Sequence, residues 1–230
     1  MSEPGTVDVF ATKGIEYLLV LLFLAGLVLF WRVLQWPGTA PVPVLGRAMT
    51  ALTDWFSVPE GFSYHQGHSW ALPGADGVVR VGVDDFARRL LGDLDALRLP
   101  RVGAQLAQGE RAWAVEVEGR SIPMLSPVHG EVVEVNEEAL ARPRIVSEDP
   151  YERGWLFKVS TPRLAADLKG LLHGELARSW MEGTVNRLRA RMGGSLGLVY
   201  EDGGTPVMGF AKSLAPDRWD EMAREFLLSD

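Results

Sequence analysis

Cysteine is absent from the sequence, and lysine is scarce. Without cysteine the chain cannot form a disulfide, a thiolate metal site or a cysteine nucleophile. A cofactor attached through a side-chain amine has only four candidate residues, which are Lys13, Lys158, Lys169 and Lys212. Both shortages narrow the chemistry that the chain can perform.

The charge balance and the motifs argue against two large classes of function. A formal net charge of −7 does not supply the basic footprint that nucleic-acid binding requires. No Ser-His-Asp order, phosphate-binding loop or nucleotide fingerprint is present. His65 and His68 have metal-ligand spacing, but no third ligand accompanies them, so we predict no metal site. We therefore expect neither nucleic-acid binding nor enzymatic activity.

An apolar run near the N-terminus predicts a membrane anchor. Tyr17–Trp31 contains no charged residue, and its extension to Ile15–Trp36 reaches the ~20 residues that cross a bilayer core. A cleaved signal peptide is a weaker alternative, because the leading segment is not basic. A buried core helix is weaker still, because the run is apolar on all sides.

The positive-inside rule gives this predicted span an orientation. Lys13 precedes it, whereas Arg32 and Arg47 follow it. This small excess places the C-terminal bulk in the cytoplasm and the N-terminus outside. The prediction is a single-pass protein of a bacterial inner membrane. Its partners would be the lipid bilayer, through Ile15–Trp36, and other subunits of a membrane complex.

The segment after the predicted span leaves two interpretations open. Pro37–Pro43 predicts a stiff, extended spacer. Apolar residues at intervals of three and four then indicate a helix over Val44–Val58. Trp55 and Phe56 favour either packing on the following domain or docking on a membrane surface or a partner. The predicted layout is a tail (1–14), a span (15–36), a linker with an amphipathic helix (37–63), a β domain (64–180) and an extension (181–230).

Short alternating segments predict that the central domain is mainly β. Val78–Val83 alternates valine with other residues, which indicates a strand with one buried face. Asp84 is expected to cap a helix over Asp85–Leu91, which Gly92 ends. Many short strands with few helices favour a β-sandwich or barrel. Further strands are predicted over Leu94–Leu99, Ala112–Val117, Ser121–Leu125, Gly130–Val135 and Trp155–Ser160.

Two of these strands form a predicted hairpin with a tight turn at Glu118-Gly119-Arg120. A type II′ turn suits Gly119-Arg120, because glycine adopts the positive φ that its first central position requires. The hairpin leads into an elbow, Ser126-Pro-Val-His-Gly130.

A set of motifs in a fixed order resembles the glycine cleavage system H protein, the lipoyl carrier of glycine decarboxylation. The resemblance covers roughly 115 residues. It implies a lipoyl-type (hammerhead) β-sandwich with flanking helices and a cofactor on a hairpin tip. The matching motifs are Tyr64-x-x-x-His68-x-Trp70, Val81-Gly-Val-Asp-Asp-Phe-Ala87, Leu91-Gly-Asp93, Leu99-Pro-x-Val-Gly103, Gly109-Glu110, Ser126-Pro-Val-x-Gly-x-Val132, Val135-Asn136 and Glu148-Asp-Pro-Tyr-x-x-Gly-Trp-Leu156.

The hairpin departs from the pattern of that family at one residue. The family lysine that carries the lipoyl group lies seven residues before the serine of Ser-Pro-Val, and this position is Gly119 here. Glu116 matches the family glutamate three residues earlier. Arg120 cannot replace the lysine, because its guanidinium stays protonated and is no nucleophile. We therefore expect no lipoyl group and no other cofactor.

The C-terminal extension is predicted to be a small α+β unit. A helix is expected over Glu182–Met192, and Leu196–Tyr200 with Val207–Leu214 reads as a hairpin around a Gly-Gly turn. An amphipathic helix over Pro216–Leu228, with proline in the first turn, ends the chain. The extension could be a packing cap on the β domain or a docking surface.

Three functional hypotheses follow. The leading one is a non-catalytic, non-lipoylated H-protein-like subunit that is tethered to a membrane and docks within a larger complex, an electron-transfer complex among the possibilities. The second is an adaptor of a transport system with a lipoyl-like domain, and the third is an active lipoyl carrier that uses another lysine. The candidate partner contacts are Glu118, Gly119, Arg120, Trp55 and Phe56.

Overall fold

The structure is a computed structural model that describes residues 9–35, 55–74, 77–192 and 206–229. Its contacts divide the chain into two compact units, Met1–Arg47 and Ala48–Asp230. Most of the predicted linker, including residues 44–54 of the expected amphipathic helix, lies outside the described residues.

The described residues of the first unit form helix α1 (Val9–Gln35), whose described side chains are exposed. Within the described residues, no helix combines the length and the apolar character needed to cross a membrane. The predicted transmembrane segment Ile15–Trp36 is therefore wrong. Its uncharged run, Tyr17–Trp31, rises only about 22 Å as a helix, whereas a bilayer core is ~30 Å thick. The predicted bilayer contact and inner-membrane localisation rested on this segment and lose their basis.

The second unit is built on two antiparallel sheets. The larger sheet has the strand order β1-β2-β3-β9-β8-β5, and the smaller has the order β4-β6-β7. The strands are β1 (Ser63–Tyr64), β2 (Ser69–Pro73), β3 (Val78–Val83), β4 (Ala96–Arg98), β5 (Gln105–Leu106), β6 (Arg111–Val117), β7 (Arg120–Leu125), β8 (Gly130–Val135) and β9 (Phe157–Ser160). This arrangement confirms the predicted two-sheet, lipoyl-type β core.

Seven helices of the second unit are described, three between the strands and four after them. They are α2 (Asp85–Leu91), α3 (Glu137–Ala141), α4 (Arg144–Glu148), α5 (Leu164–Lys169), α6 (Gly174–Met192), α7 (Phe210–Leu214) and α8 (Trp219–Phe226).

The local capping signals predicted their elements well. Asp84 caps α2, since its Oδ1 accepts a hydrogen bond from the Ala87 N–H at 2.8 Å. Gly92 ends the helix with φ of +81°. Asn136 caps α3 by accepting from the N–H groups of Glu138 and Ala139. In each case one side chain satisfies backbone donors that the helix itself leaves unpaired.

The C-terminal extension differs from its prediction. Val207–Leu214 is not a strand, because Phe210–Leu214 forms helix α7. Its proposed partner strand, Leu196–Tyr200, lies outside the described residues. The predicted strand over Val207–Leu214 is therefore wrong, and the helices α7 and α8 account for most of residues 206–229. The physical reason is burial, since Phe210 and Ala211 are adjacent in sequence and both enter the core, as one helical face allows.

One core connects the two sheets to the C-terminal helices. A single cluster of buried apolar side chains includes Val81 of the larger sheet, Val115 of the smaller one and Trp219 of α8. The predicted domain boundary at 180/181 falls inside helix α6, which carries buried residues on both sides of it. Of the two functions left open for the extension, packing is the one that the described contacts show.

Substitution of a core residue in the extension tests this shared core. The Phe210 ring is fully buried and lies 5.7 Å from that of Phe86, measured between ring centroids. We expect Phe210→Ala to lower the free energy of unfolding by about 3–5 kcal/mol, because it leaves a cavity. Chemical denaturation should still show one cooperative transition.

Met208→Ala serves as the control, because this side chain is partly exposed and its loss should change stability by less than about 0.5 kcal/mol. A separate early transition for the C-terminal helices would contradict the shared core.

Candidate functional site

The candidate site is the tip of the β6–β7 hairpin, which consists of residues 118–121. Val117 pairs with Arg120, so only Glu118 and Gly119 form the turn. Their φ angles are +50° and +73°, which defines a type I′ turn. The predicted type II′ turn at Gly119-Arg120 is therefore wrong by one residue. Arg120 belongs to β7, and the non-glycine residue Glu118 adopts the left-handed conformation.

Gly119 leaves the apex of the hairpin open. A Cβ atom at this position would meet nothing within 4 Å, so space does not dictate the glycine. The positive φ does, because other L-residues adopt it at a cost. The hairpin Arg111–Leu125 contains no lysine. The tip therefore does not fit an amine-linked lipoyl group, since it offers no nucleophile for the amide bond.

Charged side chains from the C-terminal helices surround the tip. The Lys212 ammonium of α7 lies 2.7 Å from the Glu118 carboxylate. The Arg120 guanidinium forms an ion pair with Asp220 of α8. From the opposite side, Asp95 accepts a hydrogen bond from the Glu118 N–H at 2.6 Å. The tip is thus held by groups that are far apart in sequence.

Asp220 stays ionised because of its cationic neighbours. Burial raises the pKa of this carboxyl, but the charge and hydrogen bond of Arg120, with a further contribution from Arg224, outweigh it. The net effect holds the pKa of Asp220 below its usual value. The ion pair with Arg120 therefore persists at neutral pH.

The elbow at the base of the hairpin is fixed by buried polar contacts. The Ser126 hydroxyl donates to the Val128 carbonyl at 2.7 Å. His129 Nδ1 lies 2.7 Å from Oδ1 of the buried Asp167, which ties the elbow to helix α5. Gly130 has φ of +137°, and a Cβ there would lie 2.2 Å from the Ser160 carbonyl oxygen. The elbow motif is therefore structural, and glycine is required at its end.

The two histidines with metal-ligand spacing have separate structural roles. His68 is fully buried, and its Nδ1 lies 2.7 Å from Asp84. His65 Nδ1 accepts a hydrogen bond from the Gly67 N–H at 3.0 Å, and burial, followed by the nearby His68, lowers the pKa of its imidazole. Across the described ranges, no three His, Cys, Asp or Glu side chains converge as metal ligands would.

The structure places Trp55 and Phe56 inside the second unit and not on its surface. Both side chains are buried in the main core, and the Phe56 ring packs edge-on against Phe86 at 5.0 Å. Of the two interpretations from the sequence, packing on the domain describes these residues. Contact with a membrane or a partner would require them to leave the core, so they are not part of the candidate site.

Sequence reasoning missed the residues that contact the tip from the C-terminal helices. Trp219 is only 3% exposed. Two cations lie over its ring: the Arg120 guanidinium is 5.6 Å from the ring centroid, and the Lys212 ammonium is 5.5 Å from it. The predicted amphipathic helix over Pro216–Leu228 includes Trp219, and its apolar face indicates burial. No local signal connected it to a hairpin about 100 residues earlier, because that contact depends on the tertiary fold.

Two antiparallel sheets, the β6–β7 hairpin and the Ser-Pro-Val-His-Gly elbow that follows it define a domain of the lipoyl type. A family model described as "Glycine cleavage H-protein" matches residues 62–184. The chain belongs to the glycine cleavage H-protein family.

Individual relatives match the same part of the chain. The glycine cleavage system H protein of Chromobacterium violaceum is 42% identical over 116 residues, which are 50% of this chain and 90% of that protein. The probable H protein of Thermococcus gammatolerans is 37% identical over 127 residues, 55% of this chain and 94% of that protein. The crystal structure of the Mycobacterium marinum H protein covers 46% of this chain and 87% of its own, with 38% identity and a TM-score of 0.43.

A pair of Gly→Ala substitutions tests the conformation of the turn. We expect Gly119→Ala to lower the free energy of unfolding by about 1 kcal/mol, because alanine resists positive φ. Gly183, within helix α6, also has open space around its Cβ position but no positive φ. Gly183→Ala should therefore raise stability by up to about 1 kcal/mol. Urea denaturation of both variants measures the difference, and effects of equal sign would contradict the type I′ turn.

Proposed function

We propose that this protein is a non-catalytic, non-lipoylated member of the H-protein family that serves as a docking subunit of a larger protein assembly. The bare type I′ turn at the hairpin tip carries the proposal. The hairpin keeps the fold of the family, but no residue of it has a side-chain amine.

Three features of the tip support a role without a cofactor. Glu118 and Gly119 fill the turn, and neither side chain can form an amide with a carboxylic acid. Arg120 is engaged by Asp220. Lys212, which reaches the tip from α7, is held in an ion pair with Glu118 and against the Trp219 ring.

The retained scaffold supports a role in binding. The elbow keeps its hydrogen bonds, so the base of the hairpin is held in place. The Glu118 and Arg120 side chains remain 61% and 42% exposed. Exposed charges of both signs on a fixed hairpin suit recognition by a complementary protein surface.

The adaptor hypothesis has less support. Such proteins usually insert a long helical hairpin into the lipoyl-like domain. Between β1 and β9, the described helices contain only seven, five and five residues. The docking subunit therefore remains the proposal.

Incubation with lipoate, ATP and a lipoate ligase tests the absence of the cofactor. We expect the intact mass of the full chain to stay unchanged, because the hairpin has no acceptor amine. The Chromobacterium violaceum H protein is the positive control and should gain one lipoyl group. A lipoyl group on any of the four lysines of this chain would refute the proposal.

Affinity purification from the native host tests the docking role. We expect the wild-type chain to elute in a stoichiometric complex with at least one other protein. Gly119→Arg should reduce the recovered partner about tenfold, since a side chain at the apex would disturb a contact worth about 1.4 kcal/mol.

Gly103→Arg is the matched control. Gly103 also has positive φ and an open Cβ position, but it lies in the loop before β5 and not at the tip. Recovery of a lone chain from wild-type cells, or equal loss in both variants, would count against docking through the tip.

A further inference from the structure

The C-terminal helix pair, α7 and α8, contacts the hairpin tip from outside the residues that match the family model. The family match ends at residue 184, so both helices are additions to it. Their apolar side chains enter the main core through Phe210 and Phe226. The pair is thus a fixed platform that lies beside the tip.

Polar contacts between platform and tip alternate in charge. Lys212 pairs with Glu118 at 2.7 Å, and Asp220 pairs with Arg120. Arg224 contacts Asp220 at 3.1 Å and donates to the Ser121 carbonyl at 3.2 Å. Every residue of the tip except Gly119 therefore has a polar partner on the platform.

Trp219 forms the centre of this network. Its indole is almost completely buried, and two cations contact it from different elements, Arg120 from β7 and Lys212 from α7. Each cation also has a carboxylate partner across the interface. Arg120 and Lys212 therefore each make two contacts, one with the Trp219 ring and one with a carboxylate.

The ion pairs of this network are partly exposed to solvent, so their strength depends on the salt concentration. Lys212 is 30% exposed, and the Glu118 carboxylate is twice as exposed. Ion pairs that reach solvent are individually weak and are screened by salt. In contrast, the base of the platform is apolar and is not screened. The contacts to the tip can therefore break while helices α7 and α8 remain in the core.

We propose that the charge network around Trp219 is an intramolecular latch, which holds the hairpin tip against the C-terminal helices and releases it when its ion pairs are screened or replaced. The latch deepens the proposed docking function of the same tip, because a partner would gain full access to Arg120 and Glu118 only after release. Its test requires no partner, so latch and docking can fail independently.

Native-state trypsin cleavage after Arg120 measures release of the tip. Cleavage of this bond requires Arg120 to leave Asp220 and Trp219, and its rate follows the open population when opening is fast. We expect Asp220→Asn and Lys212→Gln each to raise the initial rate at this bond about fivefold at low salt, the factor given by ~1 kcal/mol. High salt should raise the wild-type rate towards that of the variants.

Glu221→Gln is the matched control, because Glu221 lies next to Asp220 and pairs with Arg218 outside the network. It should cleave at the wild-type rate. The latch is overturned if the wild type and all three variants cleave equally after Arg120, or if salt leaves the wild-type rate unchanged. It is equally overturned if Asp220→Asn accelerates cleavage at all sites together, since opening would then be global.

Discussion

The ring of Phe86 lies where four separate parts of the chain meet. It contacts Phe56 at 5.0 Å, His68 at 4.3 Å, Phe210 at 5.7 Å and Phe226 at 5.4 Å, measured between ring centroids. These partners come from the segment before the sheets, from a turn between strands and from both C-terminal helices. Because aromatic burial dominates core energetics, this one cluster joins residues on both sides of the family match to the family domain itself.

The position of the candidate site depends on this packing. Helices α7 and α8 can reach the hairpin only because Phe210 and Phe226 fix them beside helix α2. Once they are fixed there, Lys212, Trp219 and Asp220 face the tip. Apolar contacts thus set where the platform lies, and polar contacts decide how tightly the tip is held to it.

The scaffold of the family and its chemistry are separable in this protein. The elbow, the capped helix α2 and the two sheets need particular residues for steric and hydrogen-bonding reasons, and those residues are present. The apex of a two-residue turn has few such demands, since Gly119 has open space around it. The positive φ of this residue is the conformational demand that the turn makes there.

Local signals in the sequence predicted local structure. The alternation of Val78–Val83, the Asp84 cap and the Gly92 stop gave a strand and a helix that agree with the structure. The type of turn was missed because Glu118 has a positive φ. Glutamate rarely adopts this conformation, but the pairing of Val117 with Arg120 leaves Glu118 and Gly119 to form the turn. Helix α6 begins at Gly174, before the predicted start at Glu182, and Leu172 forms a bridge with Tyr64 just ahead of it.

The sequence by itself determined the family, the hairpin and the absence of a lysine within it, since each depends on residues close together or in a fixed order. Tertiary structure alone decided what contacts the tip, because Lys212 and Asp220 lie about 100 positions away along the chain. It also decided that Phe210 belongs to a helix and that Trp55 and Phe56 are core residues. Burial across distant elements governs these outcomes, and a periodic pattern shows which face is apolar but not what it meets.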